Sequence, residues 1–238
     1  MTVPIQLDML PQPDEITCGA TCLHALYNFY GDLVPLSRVI DEVPSLDEGG
    51  TLGAYLGAHA LKRGYAATIY TYNLRVFDPT WFESKIIDIA EKLDARMDYK
   101  RTATKLQRAC QAYIDFLKLG GEIRFEDLTG DLIGAHLRNA LPIITGLSST
   151  YLYRCAREMP DAEYDDVRGD SQGHFVVLCG YNPESRDVVI TDPLQPNPIN
   201  EGMVYSVDID RAICSILLGV LTYDANLLII EPRKKRGR

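Results

Sequence analysis

The stretch from Gln12 to Gly31, Q-P-D-E-I-T-C-G-A-T-C-L-H-A-L-Y-N-F-Y-G, constrains this chain more than any other. It opens on polar, turn-forming residues and closes on a glycine. Between them Ala20, Cys22, Leu23, Ala25, Leu26 and Phe29 make the segment apolar on nearly every face. A helix apolar all round is a buried one. Thr17 is the expected N-cap, and Gly31 suits the left-handed position that follows a last helical turn. Cys18 then falls in the first turn, where free N–H groups and the positive dipole end stabilise a thiolate. Gln12 lies on a loop able to fold back toward the same helix start. A cysteine at the mouth of a buried helix, with a side-chain amide nearby, is one way to build an acyl-transfer nucleophile.

Such a thiol needs a base, and the base needs a partner to hold its tautomer. H-F-V-V-L-C-G-Y, 174–181, reads as a strand, N-P-E-S-R-D as a turn, and V-V-I-T-D-P, 188–193, as the next strand. We read His174 as directly opposite Asp192 on one side of the sheet. A symmetric turn would put the two on opposite faces, so this register needs an asymmetric loop or a bulge. Cys18, His174 and Asp192 then fit the roles of nucleophile, base and orienter. Gln12 supplies an amide to the oxyanion, with a backbone N–H at Cys18 or Gly19. Gly19 is expected to let a substrate backbone approach closely.

Taken together, Q-P-D-E-I-T-C-G-A-T-C-L, G-H-F-V-V-L-C-G-Y and V-V-I-T-D-P resemble the papain-like cysteine peptidases. The likeness is greatest to the bacteriocin-leader-processing, double-glycine type: a Gln about six residues before Cys-Gly, then a His, then Asp-Pro. It covers the first 31 residues and 173–193. The resemblance implies that Cys18 is the nucleophile, His174 the base, Asp192 its orienter and Gln12 the oxyanion donor. It also implies an α+β papain-like fold, with helices at one side, an antiparallel sheet at the other and the cleft between them. The chain departs from the pattern at Thr17, where the family usually has Asp, and in lacking a fused transporter. The expected reaction is hydrolysis of a peptide or related amide through a thioester. Transfer to an amine by the same residues, or peptide binding without catalysis, are the alternatives.

Composition bounds the rest. A net charge of −9 argues against nucleic acid as a partner, because phosphate binding needs a basic face. A peptide or protein substrate is the expected partner. The longest apolar run, near Ile213 to Leu221, is too short to span a bilayer, and the N-terminus carries no signal peptide, so no membrane is expected and the location is read as cytoplasmic. The six cysteines are expected as free, mostly buried thiols. Cys18, Cys22 and His24 lack a second ligand pair with zinc spacing, so neither metal nor cofactor is expected. His24, His59, His136, Cys22, Cys179 and Trp81 are read as structural.

The organisation expected is one domain over 1–232 and a disordered basic tail over 233–238. Residues 1–10 are a candidate edge strand. Helices are expected from Leu36 to near Glu42, with Ser37 a possible cap, from Leu52 to Arg63 behind a Thr51 cap, and over 82–98, 102–119, 131–140 and 208–217. Strands are expected over 66–72, from Ile143 and over 227–231. Residues 148–172 read as a long acidic loop controlling access to the cleft, with the T-Y-L-Y at 150–153 a candidate lid.

Overall fold

Runs of β-branched and aromatic residues build one seven-stranded sheet in the computed structural model, which describes residues 4–46, 49–84 and 86–233. In chain order the strands are β1 (Tyr65–Thr71), β2 (Glu122–Arg124), β3 (Ile143–Ser148), β4 (Gly173–Asn182), β5 (Asp187–Thr191), β6 (Val204–Asp208) and β7 (Asn226–Pro232). Their spatial order is β2-β1-β7-β3-β4-β5-β6, antiparallel throughout except for the parallel β1–β2 pair. The helices are α1 (Cys18–Phe29), α2 (Leu36–Glu42), α3 (Gly53–Lys62), α4 (Ile89–Tyr99), α5 (Thr104–Lys118), α6 (Gly130–Arg138), α7 (Ser149–Tyr153) and α8 (Ile209–Leu218).

The α+β class is as expected; the layering is not. Helices cover both faces of the sheet. On one face α1, α3 and α5 pack on Ile69, Ile144, Phe175, Val177, Leu228 and Ile230. On the other, Ile133 of α6, Leu152 of α7 and Ile216 of α8 pack on Ile143, Val176, Leu178, Ile190 and Ile229. Central strands buried on both faces read as continuous apolar runs, as L-L-I-I of β7 does.

Several boundaries differ from the sequence reading for local reasons. Residues 4–10 form no strand, although Ile5 N–H donates to Cys179 O at 2.7 Å. Neither Ser37 nor Thr51 caps a helix: α2 starts behind Pro35, and the Thr51 hydroxyl donates to Pro44 O at 2.8 Å. The helix expected from 82 starts at Ile89, because Asp88 accepts from the N–H groups of Ala90 and Glu91; Ile86, expected on its apolar face, is 94% exposed. The 148–172 stretch opens with helix α7, capped by Ser148, and Glu158 then exchanges backbone hydrogen bonds with Asp170. Strand β6 was not foreseen. The basic end expected over 233–238 lies, past Arg233, outside the described residues.

Candidate active site

Helix α1 brings Cys18 to the sheet end where β4 begins. Its residues Cys18 to Tyr27 are all buried, as an all-round apolar segment must be, while Phe29 reaches the surface. Gly31 takes φ +76° just past the helix, as expected. Thr17 occupies the N-cap position, but its side chain makes no cap; its hydroxyl donates instead to Asp14 O at 3.4 Å. The first-turn N–H groups, which no intrahelical carbonyl can satisfy, are thus left without a side-chain acceptor. Gly19 has a packing reason: a Cβ there would lie 2.6 Å from Thr51 Cγ2 and 3.2 Å from the Phe175 ring. The close approach seen on its Cβ side is of α1 to its neighbours.

His174 and Asp192 meet, although not by the expected register. From the turn, β4 and β5 pair as Tyr181 with Val188 and Gly180 with Val189. A bulge at Cys179 then shifts the ladder, giving Leu178 with Ile190 and Val177 with Thr191. Continued by one residue, this sets Asp192 opposite Val176, diagonal to His174 on the same face. His174 Nε2 lies 2.8 Å from Asp192 Oδ1. That leaves Nδ1 for Cys18, which acts on the same ring as a charge and as a hydrogen-bond partner.

Asp192 is fully buried and its acceptors are filled. Oδ1 also accepts from the Leu194 N–H at 2.9 Å, and Oδ2 accepts from the phenols of Tyr153 at 2.8 Å and Tyr205 at 2.6 Å. Burial acts to raise this carboxyl, but the imidazolium and these donors outweigh it and hold it below its ordinary range. Burial acts to lower the His174 ring, yet the Asp192 carboxylate and then Cys18 push it up to about 10. Burial, then the Asp192 charge, pushes both phenols up, so they remain donors. The result is an imidazole ring held between the Asp192 carboxylate and the Cys18 sulfur.

Gln12 stands on the approach to this site. Its backbone N–H donates to Pro193 O at 2.9 Å, tying the loop before Cys18 to the residue after Asp192. The side-chain Nε2 donates to Asp14 O at 2.8 Å, and Oε1 is buried with no hydrogen-bond partner among the described residues. The other residues read as structural keep that character. His59 bridges the Tyr27 hydroxyl and Glu42, and His24 contacts Asn28. Cys22 donates to Phe175 O, and burial, then Cys18 and Asp192, push its thiol well up. Cys179 lies at the β-bulge, with its thiol 3.2 Å from the Thr191 hydroxyl. The Trp81 ring packs edge-on against Phe77, and all six cysteines are free. Among the described residues no His/Cys/Asp/Glu group suits a metal ion.

Sequence reading missed Tyr153 and Tyr205. Tyr153, suspected of belonging to a lid, is 8% exposed and serves Asp192 from α7. Tyr205 sits in V-Y-S-V-D, where Tyr, Ser, Val and Asp alternate apolar with polar, a short strand signal that the burial of β6 follows.

Helices on a seven-stranded, mostly antiparallel sheet, with Cys18 at a buried helix start, His174 near a strand start and Asp192 just past the neighbouring strand, make a papain-like cysteine peptidase fold. Within that class the chain belongs to the Peptidase_C39 like family, whose model matches residues 4–209. No curated protein matches it. Similar solved structures include a double glycine motif protease from an AMS/PCAT transporter in complex with the leader peptide, at 15% identity and a TM-score of 0.45 over 96% of this chain and 94% of that one. The peptidase domain of Streptococcus ComA, a bi-functional ABC transporter involved in quorum sensing, is 14% identical with a TM-score of 0.44 over 96% and 99%. A protein described as a C39-like peptidase from Bacillus anthracis is 15% identical with a TM-score of 0.49 over 95% of each chain. Among the described residues no helix is long and apolar enough to cross a membrane.

Proposed function

We propose that the protein is a cysteine peptidase that cleaves a peptide or related amide bond through a thioester. The observation that carries this is the shared imidazole: His174 Nε2 on Asp192 Oδ1 at 2.8 Å, with Cys18 acting on the same ring. In this reading Cys18 Sγ attacks the carbonyl carbon while the imidazolium formed with its proton is held by Asp192. The oxyanion accepts from the first-turn N–H groups of α1 and from Gln12 Nε2, which gives up its bond to Asp14 O or shares its second hydrogen. His174 protonates the leaving amine, then takes a proton from the water that attacks the thioester. Cys18 leaves as the thiolate and the acid is released.

Iodoacetamide alkylation of Cys18, followed against pH by mass spectrometry in wild type and His174→Ala, tests the pair. Fast alkylation at neutral pH in wild type, lost in the variant, is expected. Equal, slow alkylation in both would leave a peptide-binding module without catalysis. Added amines, offered with a cleavable peptide, distinguish hydrolysis from transfer by the mass of the product.

A further inference from the structure

Where β1 starts and β7 ends lies a cavity of about 860 Å³ that the mechanism above does not use. Cys18 begins α1, whereas the cavity borders on Tyr30 and Asp32, just past the other end of that helix. Tyr27, in its wall, stands roughly 13 Å from Cys18 along the helix axis. Small-molecule sites occupy about 300–1,000 Å³, so this cavity has the size of one.

Its wall is built from side chains that hold one another. Arg63 lies over the Tyr27 ring, 5.1 Å from its centre, and grips Asp32 with two nitrogens, Nη2 on Oδ1 at 2.6 Å and Nε on Oδ2 at 3.1 Å. The Tyr65 hydroxyl donates to the same Oδ2 at 3.3 Å. Buried His59 accepts from the Tyr27 hydroxyl on Nδ1 at 2.7 Å and donates from Nε2 to Glu42 Oε2 at 3.0 Å, since a carboxylate can only accept. Arg38 Nε donates to Glu42 Oε1 at 2.7 Å. Both carboxylates that line the cavity are thus supplied with donors by the protein itself.

The cations that line it are left in surplus. Arg38, Lys62, Arg63 and Arg233 outnumber Asp32 and Glu42 by two, in a chain whose net charge is −9. Burial holds His59 below its ordinary range, so it adds no charge at pH 7. Among the described residues Arg233 uses only Nε, which donates to Tyr65 O at 3.2 Å, and Lys62 has no carboxylate partner. The carboxyl end of α3, which carries Lys62, brings about half a negative charge, less than that one ammonium supplies. Guanidinium forks match phosphate oxygens in shape, and an ammonium serves them as a point charge. Tyr30 and Tyr65 line the same cavity with ring centres 5.8 Å apart, a surface suited to an apolar body.

We propose that this cavity binds a small phosphate monoester with an apolar or aromatic body. Its phosphate carries close to two negative charges at neutral pH and meets the surplus at Lys62 and Arg233, while its body rests on the tyrosines. The site stands apart from Cys18 and does not depend on the peptidase reading.

Isothermal titration calorimetry on the whole protein at low ionic strength tests this, with phenyl phosphate as the probe and phenol and inorganic phosphate as comparisons. Phenyl phosphate should bind at one site, more tightly than either comparison. Lys62→Gln and Arg233→Gln should each weaken it by roughly tenfold, as loss of a charge-assisted hydrogen bond does. Both side chains are exposed, so each variant is expected to fold. No binding of phenyl phosphate at millimolar concentration overturns the proposal, as does phenol or inorganic phosphate binding equally well. Unchanged affinity in both variants overturns it too, by placing the phosphate elsewhere, as on the basic sequence from Lys234 to Arg238.

Discussion

Asp192 accepts a 2.8 Å hydrogen bond from His174 although Val176, not His174, is its partner position across the β4–β5 ladder. The bulge at Cys179 makes this possible. Were Cys179 paired in the ladder instead, the register of Gly180 and Val189 would continue, and Asp192 would turn to the opposite face from His174. Because the bulge leaves Cys179 unpaired, deleting it is expected to give a regular ladder with Leu178 still opposite Ile190 and to keep the pair, as Cys179→Ala should. Ring-nitrogen resonances of His174 in the two variants check this.

The phenols of Tyr153 and Tyr205 both donate to Asp192 Oδ2. Removing either leaves a buried carboxylate oxygen with one donor fewer. Tyr153→Phe and Tyr205→Phe should each cost about 1.5–3 kcal/mol in urea unfolding at pH 7. The double variant should slow Cys18 alkylation more than either single change. A neutral double variant would show that water replaces both phenols.

Two groups give the fold an alkaline slope. His174 is raised from its ordinary 6.5 to about 10. Its contribution is fully present below pH 6.5 and is lost as pH rises through about 10. Asp224 is raised from 3.8 to about 8, so its protonated form stabilises fully below 3.8 and that stability is lost as pH rises through about 8. Asp224→Asn should flatten the fall between pH 4 and 8 and leave the fall between 8 and 10 in place. Denaturation midpoints across that range measure both.

At Gly19 a methyl group would meet Thr51 Cγ2 at 2.6 Å, with the Phe175 ring and Leu56 close behind. Gly19→Ala is expected to destabilise by about 1–3 kcal/mol through overpacking. Thr51→Ser, which removes the nearest methyl and keeps the hydroxyl bonded to Pro44 O, should recover part of the loss. The coupling between the two changes, read from a double-mutant cycle, distinguishes packing from any role of Gly19 toward substrate.

The sequence made α1 and its terminal glycine legible because an all-round apolar segment has one physical reading. It also placed Cys18, His174 and Asp192 on the correct element ends, and Ile143 at the start of its strand. What it did not reveal are relations made across the chain. The need for an asymmetric loop or a bulge is legible from the spacing of His174 and Asp192, but the place of the bulge, at Cys179 inside an unbroken apolar strand, is not. Tyr153 became a partner of Asp192 only because Ser148 caps a five-residue helix inside a loop of polar composition. Thr17 and Thr51 fit the profile of capping residues, yet backbone carbonyls of Asp14 and Pro44 take their hydroxyls. Ile86 was misplaced because the Asp88 cap overrides helical periodicity.

Strand β7 lies in the middle of the sheet, between β1 and β3, yet is built from residues 226–232. Of the seven strands, the one that joins β1 to β3 is the last to be synthesised. Until then the β1–β2 pair and the ladder of β3 to β6 have no strand between them. The sheet is therefore expected to close only once residues 226–232 are in place, whereas Cys18 and His174 are brought together earlier, by the packing of α1 on β4.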